Sequence, residues 1–467
     1  VGYVAEARAE LIDRAMALAA AAAPDWDALG GKRRGDCLLR AAELFEQDAP
    51  RLIARVVREG GRTIADAVAE LREAVDYCRY YAWQAQHEFE LPRVLPGPTG
   101  EQNELRLHGR GVFVCISPWN FPLAIFVGQI AAALAAGNAV VAKPARQTPL
   151  TAYAAVRILE RAGIPGQVLH LLPGSGSDIG SRVLSNAALS GVALTGSTET
   201  AWAIQRALTE RRGPIVPLIA ETGGQNVMIA DSSALPEQLV ADVVQSAFNS
   251  AGQRCSALRV LFVQNEIAER VIELLRGAME EILIGDPRSL ASDVGPLIDA
   301  HAVEGLQPHV ERMQRQARLL QRIRPGALLA AGNFFPLQAF ELESLELLDK
   351  EVFGPILHVI RYRGDRLDAV VDAVNATGYG LTLGVHSRIE DTWQRVKARA
   401  RVGNLYINRN MIGAVVGVQP FGGEGLSGTG PKAGGPLYLY RFATERTCSA
   451  NTAAMGGNAG LLSLPDS

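Results

Sequence analysis

The sequence predicts a two-lobed α/β protein built around parallel sheets, and three observations predict it. Short apolar runs alternate with helical stretches, the rhythm of βα units. That rhythm occurs twice, once from Val112 to about Ile229 and again from Leu258 to Ile407. The third observation is size, because 467 residues exceed one ordinary hydrophobic core and call for two or three lobes.

The first ninety residues read as helices. Leu38, Ala41 and Phe45, then Leu52, Ile53, Val56 and Val57, follow the three-and-four spacing of a face that covers a sheet. Pro92 to Gly100 is a Pro/Gly-rich connector, and Glu104–Ile116 alternates as a strand or hairpin would. The first strand series is Val112–Ile116, Ala139–Ala142, Val168–Leu172, Val192–Leu194 and Ile215–Ala220. The second is Leu258–Val263, Ile356–Ile360, Leu381–His386 and Leu405–Ile407, and Tyr438–Phe442 in the glycine-rich tail reads as one more. Trp119 to Ala142 carries no charge and is long enough to span a bilayer. Pro122, Gln129 and Gly137-Asn138 divide it into a buried helix (Leu123–Ala136) and a strand (Ala139–Ala142), so no membrane span is expected.

Composition narrows the function classes. A net charge of −3 leaves no basic footprint for nucleic acid. The five cysteines (Cys37, Cys78, Cys115, Cys255, Cys448) are scattered without a CxxC pair, which points to a reducing, cytoplasmic compartment. The seven histidines form no HExxH pattern, so no metal site is expected. Val1 in place of an initiator Met suggests a module cut from a longer polypeptide.

Five segments carry chemistry. Cys255 lies between Arg254 and Ser256 after a small-residue stretch, as a presented thiol would; a buried small residue is the alternative. Asn120, in Ile116-Ser-Pro-Trp-Asn-Phe-Pro122 after a strand, is an oxyanion donor or a turn asparagine. Lys143 ends an apolar strand and is a ligand donor or a snorkelling lysine. Gly196 and Ser197 lie where a strand ends and a helix opens, suited to a phosphate or to a plain N-cap. Glu221 closes a strand beside two glycines, a general-base position. Gly174-Ser-Gly-Ser-Asp-Ile-Gly180 has the wrong spacing for a dinucleotide fingerprint.

Taken together, PWNFP (118–122), KP (143–144), TGS (195–197), ETGG (221–224), GQRCS (252–256), EVFGP (351–355) and PFGG (420–423) resemble the aldehyde dehydrogenase superfamily, in order and spacing, over essentially the whole chain. The resemblance implies two Rossmann-like domains and a small β-flap. The NAD-binding domain would span 1–103 and 112–221, the catalytic domain 222–407, and the oligomerisation flap and anchor loop 104–111 and 408–450, with 451–467 a tail. It makes Cys255 the nucleophile, Asn120 and the Cys255 N–H the oxyanion hole, and Glu221 the base that activates water for thioester hydrolysis. Lys143 and Glu351 would hold the two riboses, Ser197 the pyrophosphate, and Trp119 and Phe353 would line the cofactor cleft. Ile116, Ser117, Pro118 and Ala145 join the NAD contacts on the first strands. Gly174, Thr195, Gly196, Thr222 and Gly223 join them further along.

Gly109–Ala124, Asn408–Gly417 and Gly425–Gly435 are similar to the aldehyde dehydrogenase module of bacterial proline utilization A. That similarity implies oxidation of L-glutamate γ-semialdehyde to glutamate. The backbone N–H groups of Gly413-Ala414, with Ser256, would hold the substrate carboxylate, and Phe121 and Phe421 would flank its aliphatic part. A dehydrogenase for another aldehyde, such as succinate semialdehyde, is the rival. The similarity also implies a homo-oligomer, most simply a dimer, formed through a flap of Glu104–Gly111 with Tyr438–Phe442, and a fused or associated proline dehydrogenase. One departure stands out. Where that module usually has glutamate, two residues beyond the lysine's proline, this chain has Arg146, which opens NADP as a second cofactor.

Overall fold

The computed structural model describes residues 2–330, 332–452 and 454; all but three residues of the expected tail 451–467 lie outside them. Four helices come first (Ala9–Ala28, Gly30–Gln47, Ala49–Gly60 and Ile64–Glu88) and pack over a five-stranded parallel sheet. That sheet runs Leu169–Leu171, Ala139–Lys143, Val112–Ile116, Leu189–Thr195, Leu218–Glu221. The chain builds outward from Val112–Ile116 in one direction, then returns to its other side with Leu189–Thr195. Strand order therefore reverses between those two strands, and their carboxyl ends open a crevice of the kind that binds ligands in doubly wound sheets. The helix Ala124–Ala135 is buried on every face save at Ile125, which is why its sequence shows no amphipathic stripe.

A second core surrounds a seven-stranded sheet in the order Arg318–Ile323, Leu337–Leu342, Ile356–Tyr362, Val260–Gln264, Val227–Ala230, Thr382–His386, Asn404–Ile407. Only its first pair is antiparallel. Three of these strands escape a reading of the sequence. Val227–Ala230 is only four residues long, Arg318–Ile323 has charged or polar residues at half its positions, and Leu337–Leu342 interrupts its apolar run with Gln338 and Glu341.

Two expectations need correction. Tyr438–Phe442 is not a strand: Tyr438–Arg441 is a short helix, and the buried side chains Tyr438, Leu439 and Phe442 recur at helical rather than alternating positions. The strand follows it as Ala443–Asn451 and pairs along its whole length with Glu101–Gly109 in a three-stranded antiparallel sheet with Arg93–Leu95. Glu104–Ile116 is likewise not a hairpin, because Glu101–Gly109 and Val112–Ile116 belong to different sheets. The Asn138 side chain turns the chain between them, accepting the N–H groups of Arg110 (2.7 Å) and Gly111 (3.1 Å). No helix among the described residues is long and apolar enough to cross a membrane, and they hold no cluster of three or more potential metal ligands.

Candidate active site

Cys255 opens onto a cavity of about 90 Å³ at the junction of the two lobes. Glu221, Ser256, Phe121, Phe421, Gly413 and Ala414 line the same cavity, so four segments far apart in sequence converge there. Arg254 also faces it, as do Glu73 and Tyr77, which sequence reasoning passed over.

The backbone that presents Cys255 is held in an unusual shape. Ser250, Ala251 and Gly252 all adopt left-handed φ (55°, 55° and 66°), a conformation that costs a non-glycine residue about 1–2 kcal/mol. Buried polar ties impose it. Ser250 Oγ donates to Asp66 (2.7 Å), Arg254 donates to Asp66 (3.0 Å) and to Ser250 Oγ (3.1 Å), and Asn249 reaches the same carboxylate (3.1 Å). Arg259, 1% exposed, donates to the carbonyls of Gly252 (2.7 Å) and Arg254 (3.0 Å) and to Glu351 Oε1 (3.0 Å). The Asn226 side chain donates to the Cys255 carbonyl at 2.6 Å and to that of Ala257 at 2.9 Å. The loop is over-determined, as strained functional backbone must be.

Asn120 is buried, and its Nδ2 donates to the Gln253 carbonyl at 3.1 Å. One amide hydrogen is thereby committed to the nucleophile loop, which orients the group and leaves the second hydrogen available. Arg62 donates to the Asn120 carbonyl. Two cations stack near Phe121, with the guanidinium carbons of Arg62 and Arg254 at 4.5 and 5.2 Å from its ring centre.

Burial and the neighbouring Glu351, Glu221 and Glu73 charges push the Cys255 thiol up to about 12, against the partial help of Arg254. At rest Cys255 is therefore a thiol. Glu221 has the properties of a general base. Burial raises its pKa well above the ordinary carboxylate value, Gly423 N–H donates to Oε2 at 3.3 Å, and Oε1 has no hydrogen-bond partner among the described residues. A Cβ on Gly422 would stand 2.8 Å from Oε1, so glycine there leaves the carboxylate its place. Glu351 differs: Arg259 pairs with it, and a Cβ on Gly223 would collide with its Oε2 at 1.7 Å.

The crevice at the reversal of strand order gathers the residues expected to hold a dinucleotide. Gln129, from the buried helix, accepts from Ser117 Oγ and donates to Thr195 Oγ1 (both 2.9 Å), tying the two strand ends together. Ile116 ends its strand before Pro118, and Trp119 meets Phe353 edge-to-face with ring centres 5.6 Å apart. Ser197 caps the helix Thr198–Glu210, its Oγ accepting the Thr200 N–H at 3.2 Å; Gly196 N–H donates to the Glu221 carbonyl at 3.1 Å. Thr222 is fixed through its hydroxyl to the Leu426 carbonyl (2.5 Å). Lys143 ends its strand 8% exposed, its pKa lowered by burial, with Ala145 buried beyond it. Gly174 is buried at the next strand end. A mostly buried ammonium with no hydrogen bond among the described residues, two strands along from an exposed helix start, fits ribose hydroxyls and a pyrophosphate.

The missed residues share one origin. Asp66, Glu70, Glu73 and Tyr77 recur at four-three-four spacing on one stripe of the helix Ile64–Glu88, and that stripe faces the nucleophile loop and the cavity. Such a stripe normally marks a solvated face. Glu70, with no exposed surface on its side chain, accepts the N–H groups of Leu123 (2.7 Å) and Ala124 (3.2 Å) after the Asn120 turn. Burial and the adjacent Glu70 raise the pKa of Glu73 to about 7.

The model of the aldehyde dehydrogenase family matches residues 1–448. The bifunctional protein PutA of Klebsiella aerogenes is 53% identical over 455 residues, covering 96% of this chain and 34% of its own length. This chain thus spans about a third of that relative. The 1-pyrroline-5-carboxylate dehydrogenase of Geobacillus kaustophilus (strain HTA426) is 35% identical over 457 residues, 96% of this chain and 87% of that protein. A crystal structure of 1-pyrroline-5-carboxylate dehydrogenase from Thermus with bound NAD superimposes with a TM-score of 0.90 at 32% identity, covering 96% of this chain and 87% of that one.

Proposed function

We propose, since the chain belongs to the aldehyde dehydrogenase family, that it oxidises L-glutamate γ-semialdehyde to L-glutamate through a thioester on Cys255. The observation that carries the substrate class is the cavity wall itself. Gly413, Ala414 and Ser256 offer backbone N–H groups and a hydroxyl to a carboxylate, while Glu73 offers a carboxylate to a cation. A ligand with both charges on one end and an aldehyde on the other satisfies them together. A dicarboxylic semialdehyde such as succinate semialdehyde would leave Glu73 without its partner.

In this reading Sγ bonds to the aldehyde carbon as the thiol proton passes to solvent, which leaves the Glu221 carboxylate for the hydrolytic half of the reaction. The oxyanion that develops is met by the free amide hydrogen of Asn120 and the Cys255 N–H; losing one such donor typically costs about a hundredfold or more in rate. A nicotinamide dinucleotide, when bound, supplies the hydride acceptor. Glu221 then draws a proton from water, the hydroxyl bonds to the thioester carbon, and the carbon–sulfur bond breaks to release the acid. Phe121, steadied by Arg62 and Arg254, and Phe421 keep the aliphatic part of the substrate in an apolar sleeve.

NAD is the cofactor we assign, with Lys143 and Glu351 at the riboses, Ser197 at the pyrophosphate, and NADP left open by Arg146. Residues 1–103 and 112–221 form the dinucleotide-binding domain and 222–407 the catalytic domain. The antiparallel sheet of Glu101–Gly109 and Ala443–Asn451 is the surface for self-association, most simply as a dimer. A fused or associated proline dehydrogenase supplies the aldehyde, and the five free cysteines fit a reducing cytoplasm.

A substrate panel tests this. The chain should prefer glutamate semialdehyde, by kcat/KM, over succinate semialdehyde and over glutarate semialdehyde, the same skeleton without the ammonium. Glu73→Gln should erase about 10–100-fold of that preference, the worth of one charged hydrogen bond. Ionised Glu73 binds the ammonium, so the advantage of wild type over Glu73→Gln should shrink as pH falls through about 7. Equal kcat/KM for the glutamate and glutarate compounds in the wild type would refute the substrate assignment.

A further inference from the structure

The segment that leads into the first helix returns to the carboxyl edge of the first sheet. Ala7 N–H donates to the Pro173 carbonyl at 2.8 Å, and Glu6 Cβ stands 3.5 Å from where a Cβ on Gly174 would be. From there Glu6 Oε1 pairs with Arg146 Nε at 3.1 Å, and Glu6 is the charge that bears on Lys143. The Glu6 and Arg146 side chains are 50% and 72% exposed, so the pair adds little to stability. Its position gives it another use.

We propose that Glu6 and Arg146 together form the element that accepts the 2′-hydroxyl and refuses the 2′-phosphate of a nicotinamide dinucleotide. This rests on the dinucleotide reading above. The reactive end of the cofactor must reach Cys255 on the second lobe, so its far ribose lies outward along the first sheet's edge, over Lys143 and its neighbours. A carboxylate there accepts a hydroxyl hydrogen and repels a phosphate, whereas an arginine does the reverse. Arg146 alone would favour the phosphate. Glu6 occupies its guanidinium and keeps Oε2 for the ribose, so a carboxylate from the chain's first residues does the work that the strand end leaves undone.

Titration calorimetry with ADP-ribose and 2′-phospho-ADP-ribose tests the proposal without turnover. Wild type should bind ADP-ribose more tightly. Glu6→Gln should move the ratio toward the phosphorylated ligand by about tenfold at low salt, the scale of one like-charge contact in a wet cleft, and less at high salt. Adding Arg146→Ala to Glu6→Gln should remove that gain, and the kcat/KM ratio for NADP over NAD should follow the same order. A ratio unchanged by Glu6→Gln, with ADP-ribose still bound, would overturn the role of Glu6 and leave the dinucleotide site standing. Failure of wild type to bind either ligand would overturn both.

Discussion

On the cleft wall that carries Lys143, Arg146 and Ser197, polar groups are held by single caps and exposed pairs; on the wall that carries Cys255, buried groups tie one another several times over. Ser197 is exposed and its hydroxyl meets one residue of its helix, Thr200, at the N–H and at Oγ1, and Arg146 pairs with Glu6 in solvent. Arg259, by contrast, joins Gly252, Arg254, Gly354 and Glu351 while almost wholly buried. A binding wall can be completed by its ligand, since ribose and phosphate oxygens supply the missing bonds. A nucleophile and its oxyanion donors must stand in place before the substrate arrives, and fixing three consecutive left-handed residues takes many anchors.

The comparison can be broken by removing one anchor from each wall. Arg259→Met should be the more damaging, because it strips donors from two loop carbonyls and leaves Glu351 buried without its cation. A loss of about 3–5 kcal/mol of stability is expected, with kcat reduced in whatever remains folded. Arg259→Lys keeps the charge and should lose less, so a graded series in thermal unfolding separates the ion pair from the geometry. An unchanged Tm in Arg259→Met would mean that the loop is held by other means. Ser197→Ala on the opposite wall should cost only about 1 kcal/mol as a lost cap, raise KM for the dinucleotide a few-fold and leave kcat alone. A large fall in kcat there would show that this wall is as pre-built as the other.

The same contrast explains what the sequence discloses. Cys255, Glu221 and Asn120 sit at strand ends and loops whose short motifs are distinctive, and the strands behind them announce themselves as apolar runs. The supports of the nucleophile are quiet by comparison. Arg259 is a single charge between Leu258 and Val260, where a strand pattern predicts an outward side chain. Asp66, Glu70 and Glu73 share a helix with an apolar stripe, and nothing local says that their side faces an interior cavity rather than water. Only the packing of that helix against the loop before Cys255 brings its acidic side to the loop and the cavity, and packing between distant segments is not written in local periodicity. Glu6 is the extreme case: an exposed acid in a leader segment, meaningful only because Ala7 is bound to Pro173.

The proposed chemistry turns on a thioester on Cys255 that Glu221 resolves. Glu221→Gln keeps the shape of the side chain and removes the base. With NAD and glutamate semialdehyde, rapid mixing of this variant should release NADH in a burst of one equivalent per chain, followed by slow turnover. Mass spectrometry of the quenched protein should then find the acyl group on Cys255. Steady turnover at the wild-type rate without a burst, or an acyl group on any other residue, would contradict the mechanism.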